Sequence, residues 1–112
     1  MKQMDVVMYR HTVIKGKEDI ANEWLAFLDE IKERGSEILV EENGYYEAYF
    51  THTENDTMYI YITFASDDVD FSNNKAFESK NPLDVKHFEY MKACVDFEKV
   101  VAMPAKIQLN TF

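Results

Sequence analysis

One cysteine, Cys94, is all the chain has. A single thiol forms no intramolecular disulfide, which fits a reducing compartment. Proline and glycine are also scarce, at two and three in 112 residues. That scarcity argues against linkers and low-complexity tracts, so one structured domain over 1–112 is expected. Positive charge is in deficit: 12 basic residues stand against 21 acidic ones, for a net charge of −9. An acidic surface repels phosphate backbones and anionic headgroups, so neither nucleic acid nor membrane is expected as a partner. The first residues, Met1-Lys2-Gln3-Met4-Asp5, make no apolar leader, and no apolar run reaches the length of a membrane span. A cytoplasmic protein is the expectation.

What the chain does have is apolar and aromatic residues, 46% and 14% of the total. That excludes a disordered chain. Val6 to Ile14 reads as a strand with two largely apolar faces, a sign of burial on both sides. Lys15-Gly16-Lys17 then turns into an amphipathic helix. Glu18 and Asp19 suit its N-terminal dipole end, and Ile20, Trp24, Phe27, Leu28 and Ile31 form one stripe. Gly35 is a plausible stop, yet Ile38 and Leu39 extend the stripe. The helix therefore continues or resumes as far as Glu42, with Asn43-Gly44 as terminator and Gly44 at positive φ.

Tyr45–Thr53 and Thr57–Ala65 read as a hairpin about Glu54-Asn55-Asp56. In its second strand Met58, Ile60, Ile62 and Phe64 face one way, and Tyr59, Tyr61 and Thr63 the other. Ser66 to Asn81 is polar, with a short helix near Ser72–Ser79. Asn81-Pro82 opens a helix with the stripe Phe88, Met91 and Val95. A last strand covers about Lys99–Met103. The order β-α-β-β-α-β predicts an α+β, ferredoxin-like domain: a four-stranded antiparallel sheet with its helices on one face. The other face would expose Tyr49, Tyr59, Tyr61 and Met8, too much aromatic surface for water, so a homodimer through that face is expected.

The junction Val13-Ile14-Lys15-Gly16-Lys17-Glu18 and the strand end Phe64-Ala65-Ser66-Asp67-Asp68 resemble the dimeric α+β barrel superfamily. That superfamily includes antibiotic-biosynthesis-type and haem-degrading monooxygenases. An uncharacterised bacterial family within it is similar over nearly the whole chain. The similar segments are Val6-Val7-Met8-Tyr9-Arg10, Glu23-Trp24-Leu25, Tyr59-Ile60-Tyr61, Asp84 with His87, and Val100-Val101-Ala102-Met103-Pro104. The resemblance implies the fold and the dimer but no established activity. Haem-degrading relatives use a strand asparagine, a strand-end tryptophan and a helical histidine. Tyr9 and Phe64 stand at the first two of those positions here, so haem chemistry is not carried over and no cofactor is expected.

Candidate chemistry is sparse. Asp84 and His87, three apart on a helix, could form an oriented general base, or be a histidine on a helix flank. His11 could line a cleft with Trp24, or be a core histidine with its bonds satisfied. Arg10 and Glu47, both facing the barrel interior, could bind a polar ligand or neutralise one another, and the structural pair is the favoured reading. Asp68, Asp70 and Ser72 suggest a calcium loop, but Asn73 and Ser79 stand where glycine and glutamate are required. His11, His52 and His87 lack metal-ligand spacing, so no metal is expected. Cys94 reads as a buried thiol.

Three functions follow. One is a homodimer that binds a small molecule between sheet and helices, with Tyr9, His11, Trp24, Phe64 and His87 as ligand residues. Another is a cofactor-independent monooxygenase-like enzyme acting on a small aromatic or polyketide-like substrate, with His87, Asp84 and His11 as catalytic candidates. The third is an interaction module using the acidic face of Glu23, Asp29, Glu30 and Glu33. A missing acid-base pair in the sequence favours the first. A cleft joining Tyr9, His11, Trp24 and His87, with a perturbed histidine, would favour the second.

Overall fold

A computed structural model describes residues 2–112. Its elements run β1 (Asp5–Val13), α1 (Glu18–Glu30), α2 (Lys32–Glu41), β2 (Gly44–Glu54), β3 (Thr57–Ser66), α3 (Val69–Glu78), α4 (Pro82–Cys94) and β4 (Val95–Pro104). The strands form one antiparallel sheet in the order β2-β3-β1-β4. The architecture is α+β, with an open four-stranded sheet and four helices.

The first crossover is broken at Ile31, which closes α1 and opens α2. Gly35 lies inside α2 and does not stop it. Asn43, not Gly44, takes the left-handed turn, with φ 59°. Gly44 is needed for space instead. A Cβ there would strike the Leu39 side chain and sit 3.2 Å from the Leu39 carbonyl oxygen. In the second crossover, Asp68 caps α3 by accepting from the Phe71 amide at 3.0 Å. Asn81 caps α4 by accepting from the Leu83 amide at 3.0 Å, with Pro82 opening the helix. The last strand starts at Val95, directly after α4, and is longer than its apolar centre predicts because it continues past a bulge opposite β1.

Register decides which side chains face the helices. Asn55 and Asp56, both at positive φ, make a two-residue turn that pairs Glu54 with Thr57. Tyr49 therefore sits opposite Ile62, and Glu47 opposite Phe64. Tyr9 also pairs Ile62, and Ala102 pairs Tyr9. These residues form the covered face. Phe50, Tyr61, Arg10 and Val101 form a row on the opposite, open face.

Two sequence expectations are corrected by this register. Tyr49 belongs with the core, edge-on to Trp24 at 5.9 Å between ring centroids, and not with Tyr59 and Tyr61. Arg10 and Glu47 lie on opposite faces and cannot pair; the Arg10 guanidinium instead lies 5.2 Å from the Tyr59 ring centroid. The open face carries Met8, Tyr46, Phe50, Val101 and Met103, all exposed.

The covered face holds two separate apolar clusters. The larger contains Trp24, Ile60, Ile62, Met91, Cys94 and Val95, beneath α1 and α4. The smaller contains Val7, Phe64 and Val69, near α3. Cys94 is fully buried, and burial pushes its thiol up to about 11.

Nothing lies within 4 Å of a Cβ built on Gly35. Gly35→Ala should therefore stabilise the fold by about 0.5–1 kcal/mol through helix propensity. Gly44→Ala should destabilise it by about 1–3 kcal/mol through overpacking on Leu39. Urea denaturation midpoints that move in opposite directions would bear this out.

Candidate functional site

Between the two clusters the helix layer stands away from the sheet and leaves a cavity of about 350 Å³. All four helices and the covered face of the sheet contribute to it. Leu28, Ile38, Ile62, Phe64, Phe77 and Phe88 give it apolar walls. Tyr9 and His11 enter from β1, Glu47 and Tyr49 from β2, Asn73 from α3, and Asp84 and His87 from α4. Glu42, the residue that ends α2, closes one side. A second hollow of about 430 Å³ under the α1–α2 break shares Leu28, Ile31, Gly35, Leu39, Glu47 and Tyr49 with the first. The two form one cleft with Glu47 and Tyr49 between them.

His87 is set by a residue far away in sequence. The Trp24 indole Nε1–H donates to His87 Nδ1 at 2.9 Å. With that lone pair occupied, the neutral ring carries its proton on Nε2. Burial, with a smaller contribution from His11, lowers His87 to about 4. At neutral pH it is an uncharged donor, not a base. Asp84 lines the same cavity, but among the described residues it makes no hydrogen bond to His87. The orienting role expected of Asp84 belongs to Trp24. Trp24 itself is fully buried and lies behind His87, so it supports the cavity rather than walling it.

The strand residues meet expectation more closely. Tyr9, His11 and Phe64 all line the cavity. Asn73 Nδ2 donates to the Tyr9 hydroxyl at 3.0 Å, which leaves the hydroxyl proton available for another acceptor. His11 is 5% exposed, its Nδ1 has no hydrogen-bond partner, and burial lowers its pKa.

Glu42, Glu47 and Asn73 complete the polar lining; sequence reasoning assigned neither Glu42 nor Asn73 to a cleft and placed Glu47 in the barrel interior only as a companion of Arg10. The Tyr49 hydroxyl donates to Glu47 Oε1 at 2.6 Å. Glu47 lines the cavity and stays accessible through it. Desolvation raises its pKa, the Tyr49 bond opposes the rise, and the Asp84 charge adds to it. Desolvation raises Glu42 to about 7, with further repulsion from Asp84, Glu47 and Glu41 and partial relief from Lys75. Desolvation, then the Glu47 charge, puts the Tyr49 hydroxyl well above its usual value. The available signal for Glu47 was hairpin register, which places it on the same face as Phe64. Glu42 gave no signal, because a residue at a helix end reads as a terminator.

The profile of a family of unknown function (DUF6176) matches residues 4–110. The chain belongs to that family. No curated protein matches the sequence. No helix among the described residues is long and apolar enough to cross a membrane.

His87 should titrate near pH 4, in the tautomer protonated at Nε2 above that, as read from ring-nitrogen NMR shifts. An ordinary value near 6.5 would refute the geometry. Because its folded pKa lies below the unfolded one, His87 withdraws stability as pH falls from about 6.5 to about 4. Trp24→Phe removes the donor and leaves Nδ1 without its partner. A loss of about 1–3 kcal/mol is expected in denaturant unfolding.

Proposed function

We propose that this chain is a ferredoxin-like, dimeric α+β barrel protein that binds a small molecule between its sheet and helices. The observation that carries the reading is the cavity of about 350 Å³, with apolar walls and convergent polar groups from Tyr9, His11, His87 and Glu47. A cleft of this volume, apolar with a few placed polar groups, is the usual form of a small-molecule site. Ala76 lines it from α3. Ala76→Phe should fill it and weaken any aromatic ligand by about tenfold or more, a difference of about 1.4 kcal/mol. Thermal-shift titration of the parent and variant against a panel of small aromatic compounds tests this. Equal ligand-induced shifts in both proteins would refute the site.

The strand order β2-β3-β1-β4 supports the ferredoxin-like assignment. The dimer forms through the open face. Its support is the exposure of Tyr46 and Phe50, 56% and 52%, beside Tyr59, Tyr61 and Met103 on a sheet face with no helix over it. Light scattering should give twice the 13.2 kDa chain mass. Tyr61→Asp should give the single mass, because a desolvated, unpaired charge costs several kcal/mol.

A cofactor-independent, monooxygenase-like activity on a small aromatic or polyketide-like substrate is the second reading. Glu42, at about 7, favours it, since a general base works best near the operating pH. Substrate turnover lost in Glu42→Gln, with the fold retained, would establish that reading over plain binding.

A further inference from the structure

On the wall of the first hollow every charged side chain is acidic, Glu42, Glu47 and Asp84, while the adjoining hollow adds Asp29 and Lys32, which pair with each other. The ion pairs among the described residues are Lys2–Asp67, Lys15–Asp56, Lys32–Asp29 and Lys99–Asp96. None reaches the cavity carboxylates. Three acidic groups thus share a partly desolvated space, none of them in an ion pair among the described residues, and the Lys75 charge relieves Glu42 only in part. We infer that the cleft is a site for an organic cation, an amine with an apolar or aromatic body, whose ammonium group sits among Glu42, Glu47 and Asp84. The inference rests on the cleft being a ligand site.

The rest of the lining bears on the cation in three ways. His11, 5% exposed at the cavity wall, has an Nδ1 with no hydrogen-bond partner, and burial lowers its pKa, which opposes a positive charge on the β1 side. Tyr9, Tyr49, Phe77 and Phe88 surround the same space. Their ring faces attract a cation, and more strongly where water is excluded. The carboxylates are also spread along the wall, since no group of three His, Cys, Asp or Glu side chains among the described residues is spaced to hold a metal. A larger, delocalised or carbon-bearing cation fits such a layout, with its body against Phe64 and Leu28.

Desolvation first, and neighbouring carboxylate charges after it, raise the pKa of Glu42 and of Glu47. A bound ammonium would favour ionisation of both and release their protons.

The experiment is calorimetric titration of the full chain with three probes of one shape: 2-phenylethylamine, 2-phenylethanol and 3-phenylpropionate. At pH 8 the amine should bind about tenfold or more tightly than the alcohol, with the carboxylate weakest. The double variant Glu42→Gln, Glu47→Gln should remove most of the amine's advantage over the alcohol, the remainder being held by Asp84. Lowering the pH from 8 to 6 should weaken the amine alone, because Glu42 takes up a proton. The groups facing it are Glu41, Glu47, Asp84, Tyr49 and Lys75. The amine itself remains protonated throughout. Alcohol and amine of equal affinity, or a tighter carboxylate, would overturn the cation assignment and leave the cleft reading standing. Binding of no probe, with Ala76→Phe also without effect on the aromatic panel, would overturn both.

Discussion

The hydrogen bond from the Trp24 indole to His87 Nδ1 joins the two halves of the helix layer. It links α1 to α4, and the two side chains come from opposite ends of the sequence. Trp24 also meets Tyr49 of β2 edge-on, so one indole fixes the relative positions of two helices and an edge strand. Its apolar surface lies in the main cluster, and its single polar atom is satisfied. A buried indole without an acceptor would leave a polar N–H desolvated, so the position of α4 and the tautomer of His87 follow from the same contact. The cavity begins where this tight region ends. His87 presents its other nitrogen to that space because the first one is occupied.

The cavity is a consequence of covering a twisted sheet with broken helices. A straight helix from Glu18 to Glu41 would follow the sheet along a single line. The break at Ile31 lets α1 pack against α4 while α2 packs against β2. The Ser72 hydroxyl donates to the Glu42 carbonyl at 2.5 Å, and the Asp67 amide to the Asn43 carbonyl at 3.3 Å. These bonds hold the end of α2 against the start of α3 and bring Glu42 to the cavity edge. Desolvation there, then repulsion from Asp84, Glu47 and Glu41, raises the Glu42 pKa, so the folded state opposes part of its own charge. Glu42 has a folded pKa above its unfolded value, so its contribution to stability is lost as pH rises from about 4.5 through about 7. That sign is opposite to that of His87.

Much of the arrangement is legible in the sequence, for identifiable reasons. Alternation in β3, with Met58, Ile60, Ile62 and Phe64 on one face, gives the covered side directly. The helical stripe of Ile20, Trp24 and Leu28 gives the face of α1, and the caps at Asp68 and Asn81 are local signals. Tyr49 is different, because β2 carries aromatic residues at both parities: Tyr45 and Tyr49 at one, Tyr46 and Phe50 at the other. Alternation alone cannot choose between them. The two-residue turn at Asn55-Asp56 can, since it fixes the pairing and therefore the face of every residue behind it. Tyr9, His11, Phe64 and His87 were legible as cavity residues because each lies on an apolar face that must meet the helices. Asp84 was assigned to His87 by adjacency on one helix. The stronger partner, Trp24, comes from a different element, and spacing along α4 holds no trace of it. Glu42 was illegible because its environment is made entirely by β2, α3 and α4.

The two apolar clusters do different work. The cluster around Trp24, Ile60 and Cys94 contains the fully buried large residues. The one around Val7, Phe64 and Val69 is small and borders the cavity. Such a domain is divided between a part that must stay fixed and a part open to change. Substitutions at Ala76, Phe77 or Leu83 alter the shape of an already hollow region and leave the dense end intact. A lineage built on this chain could therefore exchange one ligand for another in small steps, with much of the fold's stability held in Trp24, Ile60, Cys94 and Val95, which do not line the cavity.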